Sequence, residues 1–133
     1  MARLEIGKTV RTTIKADEPW NDSQIDLVKN GQYDFLVPGV QTWKDASIPA
    51  DADGYPTPIH LKIFEPVRRI PKENFFKLIG TIGRSLANPV IIGRTLSSFS
   101  APIDGRLYCF ANDVRGMYWN NCGLIELNVT RRA

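Results

Sequence analysis

Short runs in which apolar and polar residues alternate recur along the whole chain, separated by Gly, Pro or Asn. Alternation with a period of two is typical of a strand with one buried face, and no stretch keeps a helical period. The sequence therefore predicts an all-β fold, an antiparallel β-sandwich or barrel. The predicted strands are Leu4–Ile6, Val10–Ile14, Ile25–Val28, Tyr33–Val37, His60–Phe64, Phe75–Ile79, Pro89–Ile92, Thr95–Ser100, Arg106–Ala111 and Gly123–Val129.

Local features refine this prediction. Asn30-Gly31 lies between alternating runs, which indicates a hairpin that joins Ile25–Val28 to Tyr33–Val37. Trp20–Ser23 follows a break in the pattern and is expected to be a loop. From Ile125 onward the apolar and polar residues alternate, so the last strand should have one wet face. Residues 1–133 fit one domain, and its first or last strand is a candidate edge for pairing with another subunit.

Composition narrows the class of protein. With 43% hydrophobic and 23% charged residues, the chain resembles ordinary globular proteins. No apolar run approaches the ~20 residues of a membrane-spanning helix. Met1–Glu5 lacks the apolar segment of a secretion signal, so we expect a protein that is cytoplasmic as synthesised or is exported by a non-classical route. The net charge of +3 is spread out, which argues against nucleic acid as a partner, and Arg68-Arg69 is expected on a solvated turn.

The stretch from Asp113 to Asn121 is the strongest candidate for a functional loop. It offers one carboxylate, the amide oxygens of Asn120 and Asn121, and a backbone relaxed by Gly116 so that a carbonyl near Met117 could face the same point. Hard cations such as Ca²⁺ take oxygen ligands of this kind. A single carboxylate does not neutralise a divalent ion, so further ligands should come from a second loop. Asp, Asn and Gly are also the commonest residues of loops without a metal.

Asn112–Asn121, read Asn-Asp-Val-Arg-Gly-Met-Tyr-Trp-Asn-Asn, resembles the calcium loop of the calcium-dependent galactophilic lectins of the Pseudomonas type. Val37–Trp43 and Phe76–Gly80 resemble two further segments of that family. The resemblance implies a jelly-roll, galactose-binding-like sandwich in which one Ca²⁺ binds two sugar hydroxyls. It assigns side-chain ligation, and contact with the sugar, to Asp113, Asn120 and Asn121, and backbone-carbonyl ligation to Val37 and Met117.

The sequence departs from the family at several positions. Val37 replaces a Tyr, Arg115 a Pro and Trp119 a small residue. The His-Pro pair that helps to grip galactose has no counterpart, and Asp51 and Ala52 stand in its place. Calcium is therefore better supported than galactose.

A long polar connection, 44–58, is expected to form the second wall of the site, because long ordered loops in compact domains are often functional. Asp51 or Asp53 could accept hydrogen bonds from sugar hydroxyls, and Tyr55 or Trp43 could stack on the C–H face of a sugar. An ordinary surface loop would have the same composition.

Cysteine and enzyme patterns add little. Cys109 and Cys122 lie on the two arms of the loop, which we expect to be antiparallel neighbours, and two reduced thiols are favoured over a bridge. No Gly-x-Ser-x-Gly context surrounds the serines of 97–100, so an enzyme is not indicated. A glycosidase that pairs Asp113 with an acid of the 44–58 connection stays open as an alternative.

The resulting hypothesis is a calcium-dependent lectin for galactose-like sugars, presented on a homo-oligomer because single shallow sugar sites bind weakly. The competing hypothesis is an assembly β-sandwich that keeps the loop without binding metal or sugar.

Overall fold

The computed structural model describes residues 2–56 and 68–133, in which the chain forms thirteen β-strands and one 3-10 turn at Tyr118–Asn120. The strands are β1 (Ala2–Arg3), β2 (Thr9–Lys15), β3 (Asn21–Leu27), β4 (Gln32–Leu36), β5 (Trp43–Asp45), β6 (Ile48–Ala50), β7 (Asp53–Tyr55), β8 (Phe75–Ile82), β9 (Pro89–Ile91), β10 (Thr95–Ser100), β11 (Gly105–Ala111), β12 (Asn121–Cys122) and β13 (Leu124–Arg131). The predicted strand His60–Phe64, with the single histidine, lies outside the described residues.

The strands form two main sheets and one small sheet. The first sheet has the order β1-β3-β11-β8-β7, with β9 also paired to β8, and the second has the order β10-β4-β13-β2. The third sheet is β12-β5-β6. Apart from the two-residue parallel pairing of β1 with β3, the pairings in the described part of the chain are antiparallel. The prediction of an all-β antiparallel sandwich is confirmed.

The core lies between the first and second sheets, as the alternation of the strands requires. On β13, Ile125, Leu127 and Val129 are fully buried while the residues between them are half-buried. On β11, Leu107 and Cys109 point into the same core. Phe110 points the opposite way and belongs to a second apolar cluster on the outer face of the first sheet. That sheet therefore has apolar clusters on both faces, and the outer cluster includes Tyr118 from the loop that follows β11.

The prediction that Trp20–Ser23 forms a loop was wrong, because β3 begins at Asn21. Its polar side chains face inwards and find partners there. The Asn21 amide nitrogen donates to the carbonyls of Lys15 and Cys109, each at 3.0 Å, and the Ser23 hydroxyl donates to Leu107 O at 2.6 Å. Buried polar side chains that are hydrogen-bonded can replace apolar residues on an inward face, and this hides the strand from a hydrophobic pattern.

The predicted hairpin at Asn30-Gly31 was also wrong. The turn exists, since Gly31 N donates to Val28 O at 2.8 Å, but β3 belongs to the first sheet and β4 to the second. The arms of the Asp113 loop are likewise not neighbours, because β11 and β13 lie in different sheets. Cys109 is buried and Cys122 exposed, and both are free thiols.

Other boundaries moved by smaller amounts. The first strand ends at Arg3, and the predicted run Leu4–Ile6 leads into a turn in which Gly7 adopts a φ of +87° and its N–H donates to Arg131 O. The connection 44–58 is not a plain loop, because it contains β6, β7 and the end of β5. β1 is an edge strand, whereas β13 is central in its sheet. No helix in residues 2–56 and 68–133 has the length and apolar character needed to cross a bilayer.

Replacing Asn21 with Ala tests the buried polar face of β3. Asn21→Ala should lower the free energy of unfolding by about 2–3 kcal/mol, since it leaves buried backbone groups of Lys15 and Cys109 without partners. Urea denaturation measures the loss. Asp22→Asn, on the exposed face of the same strand, is the matched control and should change stability little. Equal losses in both variants would contradict the role given to Asn21.

Candidate functional site

The segment between β11 and β13 crosses from the first sheet to the second and carries the predicted calcium loop. Asn112 lies at the start of this segment and is fully buried. Both the oxygen and the nitrogen of its side-chain amide have hydrogen-bond partners. Its Oδ1 accepts from Ile70 N at 3.0 Å, and its Nδ2 donates to the carbonyls of Ile70, Glu73 and Asn74 at 2.9–3.1 Å. Asn112 therefore has a structural role: it fastens the loop to the 70–74 turn.

Asp113 follows as a buried carboxylate that meets only neutral donors. Its side chain is 3% exposed, Oδ1 accepts from Val114 N at 2.7 Å, and Oδ2 accepts from Asn121 Nδ2 at 3.1 Å. Burial raises the pKa of Asp113 to about 6, and the Asp45 carboxylate adds to the rise. A buried carboxylate is costly unless a cation or a proton compensates it.

Asn120 and Asn121 present the opposite picture to Asn112. The side-chain oxygens of both residues are buried and have no hydrogen-bond partner. The Asn121 amide nitrogen, by contrast, is used twice, with Ala16 O at 3.0 Å and with Asp113. A side-chain amide whose nitrogen is hydrogen-bonded while its buried oxygen has no partner is unusual, because buried polar groups normally form hydrogen bonds. Both residues follow Asp113 in the same loop, and the Asn121 amide contacts the Asp113 carboxylate directly.

The third sheet brings a second carboxylate towards this loop. β12 pairs with β5, and in that ladder Asn121 lies opposite Asp45. The Asp45 carboxylate accepts from the Tyr55 hydroxyl at 2.5 Å, and burial followed by this bond raises the pKa of Tyr55. The Asp113 charge also acts on Tyr55. Asp45, Tyr55 and Asp113 are thus within electrostatic reach of one another.

The remaining predicted residues occupy several places. Met117 precedes the 3-10 turn and donates its N–H to Val114 O at 3.1 Å, and Val37 is buried where β4 ends. Asp51 is tied to its own turn by Asp53 N at 2.9 Å. The Asp53 carboxylate accepts from Arg94 N at 2.8 Å. These bonds direct Asp51 and Asp53 to local backbone groups. In the described part of the 44–58 connection, Asp45 and Tyr55 interact electrostatically with Asp113, and Ala46 N donates to Asn120 O at 3.1 Å. The predicted stacking of Trp43 on a sugar was wrong, because Trp43 is buried in the core.

The donors gathered here are hard oxygens. The described residues contain no cluster of three His, Cys, Asp or Glu side chains that could hold a metal ion, so a cation bound by these residues would depend on amide and backbone carbonyl oxygens as well as carboxylates. One buried carboxylate, two unsatisfied amide oxygens and a nearby second carboxylate fit a Ca²⁺-type cation, which prefers carboxylate and carbonyl ligands. The loop residues present therefore fit the ion that the sequence predicted.

A groove of about 340 Å³ opens on the other flank of the same loop. Arg69 and Arg115 line it together with Trp20, Tyr118 and Trp119. The expectation that Arg68-Arg69 is a solvated pair was wrong, because each is only 6% exposed. The Arg69 guanidinium lies 3.5 Å from the centre of the Phe110 ring and 4.3 Å from that of Trp20. Cation–π contacts thus offset part of its desolvation.

Asp45, Arg69 and Trp20 are candidate residues that the sequence alone did not single out. Asp45 was one of several acids in a polar connection, and only the β5–β12 pairing distinguishes it. Arg69 carries no local signal for burial, since its aromatic partners Trp20, Phe110 and Tyr118 come from distant parts of the chain.

Similarity to known proteins is found among solved structures. No family model and no curated protein sequence matches the chain. Among solved structures, the chain is similar to the N-terminal domain of EclA, described as a PllA-like lectin, with a TM-score of 0.66 and 17% sequence identity. The alignment covers 91% of this chain and 94% of that one. At this identity the similarity establishes the lectin-like β-sandwich fold.

The raised pKa of Asp113 predicts a pH dependence in the presence of a chelator. Because the folded pKa of about 6 exceeds the unfolded value of about 3.9, the folded state binds the proton more tightly. The stability from this group is then fully present below about pH 4 and is lost as the pH rises through 6. We expect a loss on the order of 2 kcal/mol in the wild type relative to Asp113→Asn, measured by urea denaturation at pH 4 and pH 7.

Asp104→Asn, at an exposed carboxylate, serves as the control for this comparison and should keep the wild-type dependence. An Asp113→Asn variant that loses as much stability as the wild type between the two pH values would contradict the assignment.

Proposed function

We propose that this protein is a calcium-dependent carbohydrate-binding protein in which Asp113, Asn120 and Asn121 hold the ion. The observation that carries the proposal is the pair of buried, unpartnered side-chain oxygens of Asn120 and Asn121 beside the buried Asp113 carboxylate. Carbonyl groups of Met117 and Val37 would complete the ligand set, as the resemblance to the galactophilic lectins implies. Bound Ca²⁺ would supply a Lewis-acidic point to which two vicinal sugar hydroxyls can bind.

Charge balance supports a divalent ion. The loop itself contributes one carboxylate, and Asp45 brings a second negative charge close enough to raise the pKa of Asp113. Two carboxylates match a dication, whereas they repel each other without one. The Tyr55 hydroxyl donates a hydrogen bond to the Asp45 carboxylate and so orients it. Hydrogen bonds from residues around a metal site commonly orient its ligands in this way.

The sugar is proposed to be galactose-like, on the strength of the resemblance. Asp51, Asp53 and Tyr55 stay the predicted sugar contacts of the second wall. Asp51 and Ala52 stand where the family has its His-Pro pair. We therefore propose that the sugar preference differs from that of the family. We propose binding without catalysis, in a homo-oligomer that multiplies weak single sites.

Calcium should stabilise the folded protein. At a free Ca²⁺ concentration about a hundredfold above its Kd, the free energy of unfolding should rise by about 2.7 kcal/mol, because the ion binds only the folded state. Thermal melting in Ca²⁺ and then in excess chelator measures the shift. Asp113→Ala should lose the shift, while Asp104→Ala, an exposed carboxylate elsewhere, should retain it.

A midpoint that does not respond to excess Ca²⁺ in the wild type would favour the assembly sandwich without metal. A glycan array in Ca²⁺ and in chelator then tests the sugar, and galactose-terminated glycans that bind equally well in both conditions would contradict an ion-bridged site.

Asp45 should tune the affinity for the ion. Asp45→Asn keeps an oxygen near the Tyr55 hydroxyl but removes one negative charge, so the Kd for Ca²⁺ should rise by about 10- to 100-fold. Calcium titration by isothermal calorimetry measures the change. Asp53→Asn is the matched control in the same connection, because its carboxylate bonds to Arg94 N instead. Equal effects from the two substitutions would argue against a special role for Asp45.

A further inference from the structure

The groove on the outer flank of the loop has an unusual combination of residues. Two arginines, Arg69 and Arg115, line it, and no acidic side chain is among its lining residues in the described part of the chain. Trp119 follows at the rim with 79% of its surface exposed, and the half-buried Trp20 lies across from it on the β2–β3 connection. Trp119 therefore gives the groove an exposed aromatic surface next to its two arginines.

Arg69 is the central residue of the groove. Its Nη1 donates to Pro19 O at 2.6 Å and to the Tyr118 hydroxyl at 2.9 Å, and its Nη2 is buried without a hydrogen-bond partner. None of the ion pairs formed by described residues includes Arg69. A guanidinium has five N–H donors in a planar fork that matches a carboxylate or a sulfate.

A purely structural role for Arg69 leaves two facts unexplained. Aromatic rings account for its burial, but they do not satisfy Nη2. They also do not explain why a second arginine, Arg115, lies in the same groove. Burial lowers the pKa of Arg69 and the Arg115 charge lowers it further, so the two cations oppose each other without an anion between them. An anionic ligand would accept a hydrogen bond from Arg69 Nη2 and would also offset the repulsion between the two arginines.

We propose that this groove binds an acidic sugar residue, carboxylated or sulfated, with its anionic group against Arg69 and Arg115. The C–H face of the sugar would pack on Trp119 or Trp20, because aromatic rings offer a large apolar surface with a polar edge. This inference rests on the proposed function, since it extends the same oligosaccharide beyond the residue held by the ion. Trp119 and Asn120 are adjacent in the chain, so one loop serves both subsites.

The test compares matched oligosaccharides that share a galactose end and differ in the neighbouring residue, which is neutral, carboxylated or sulfated. Binding is measured by calorimetry in Ca²⁺ at low and high salt. The wild type should bind the acidic forms at least about tenfold more tightly than the neutral form, and salt should reduce this preference. A larger gain for the carboxylated or for the sulfated form identifies the anion.

Four variants, one of them a control, locate the effect. Arg115→Gln and Trp119→Ala alter exposed side chains, so both should fold. Arg115→Gln should bind the neutral oligosaccharide as the wild type does and lose the acidic preference. Trp119→Ala should weaken binding of the neutral and the acidic forms alike, because the ring packs on the C–H face of either sugar. Arg94→Gln removes the same charge from an exposed turn elsewhere and should keep the preference. Arg69→Lys keeps the charge without the fork and should weaken acidic binding while the neutral Kd stays unchanged.

The outcomes separate this inference from the calcium proposal. Calcium-dependent binding of the neutral form with no acidic preference would overturn the groove alone. Acidic binding that persists in chelator, with no Ca²⁺ effect on melting, would support the groove and reject the ion. An acidic preference retained in Arg115→Gln, acidic binding as tight in Trp119→Ala as in the wild type, or equally tight binding of a short single-stranded DNA would overturn the assignment of the groove to an acidic sugar.

Discussion

Two buried asparagines, Asn112 and Asn121, hold the segment that crosses from the first sheet to the second, and the candidate sites depend on that anchoring. Asn112 uses both ends of its amide to fasten the crossing to the 70–74 turn. Asn121 ties it to Ala16 O on the opposite side. Where this segment changes sheets, its only strand pairing in the described residues is the short β12–β5 ladder, so side-chain hydrogen bonds satisfy much of the remaining backbone nearby. The loop that carries the candidate ligands is held between these two anchors.

The difference between the two asparagines also separates structure from function within one motif. Asn112 resembles the anchor of any well-packed loop, whereas Asn121 and its neighbour Asn120 keep buried oxygens without partners. In the groove on the outer flank, Arg69 Nη2 is a buried hydrogen-bond donor without an acceptor. It is the counterpart of the two buried acceptors that lack donors. An unsatisfied acceptor set beside a carboxylate suits a cation, and an unsatisfied donor beside a second arginine suits an anion. A single crossing segment thus supports both proposals.

The parts of the site that were predictable from the sequence are those carried by consecutive residues. Asp113, Asn120 and Asn121 could be proposed together because one short loop contains them and because their order resembles a known calcium loop. Asp45 and Arg69 could not, since their environments arise from the β5–β12 pairing and from aromatic residues contributed by distant segments. For Arg69 the prediction was wrong, because a basic pair between prolines is usually exposed to solvent. Only the aromatic rings around Arg69 make its burial tolerable.

For the strands with alternating apolar residues, such as β11 and β13, the sequence by itself determined that they are extended and which side chains face the core, because alternation is a local property of each strand. It also determined the chemistry of the Asp113 loop. Only the tertiary structure decided which strands are neighbours: the Asn30 turn and the Asp113 loop both connect different sheets, although each looked like a hairpin. Polar residues such as Asn21 became inward-facing for the same reason, since their partners lie far along the chain. Sheet pairing depends on long-range hydrogen bonds and shared burial, which no local pattern encodes.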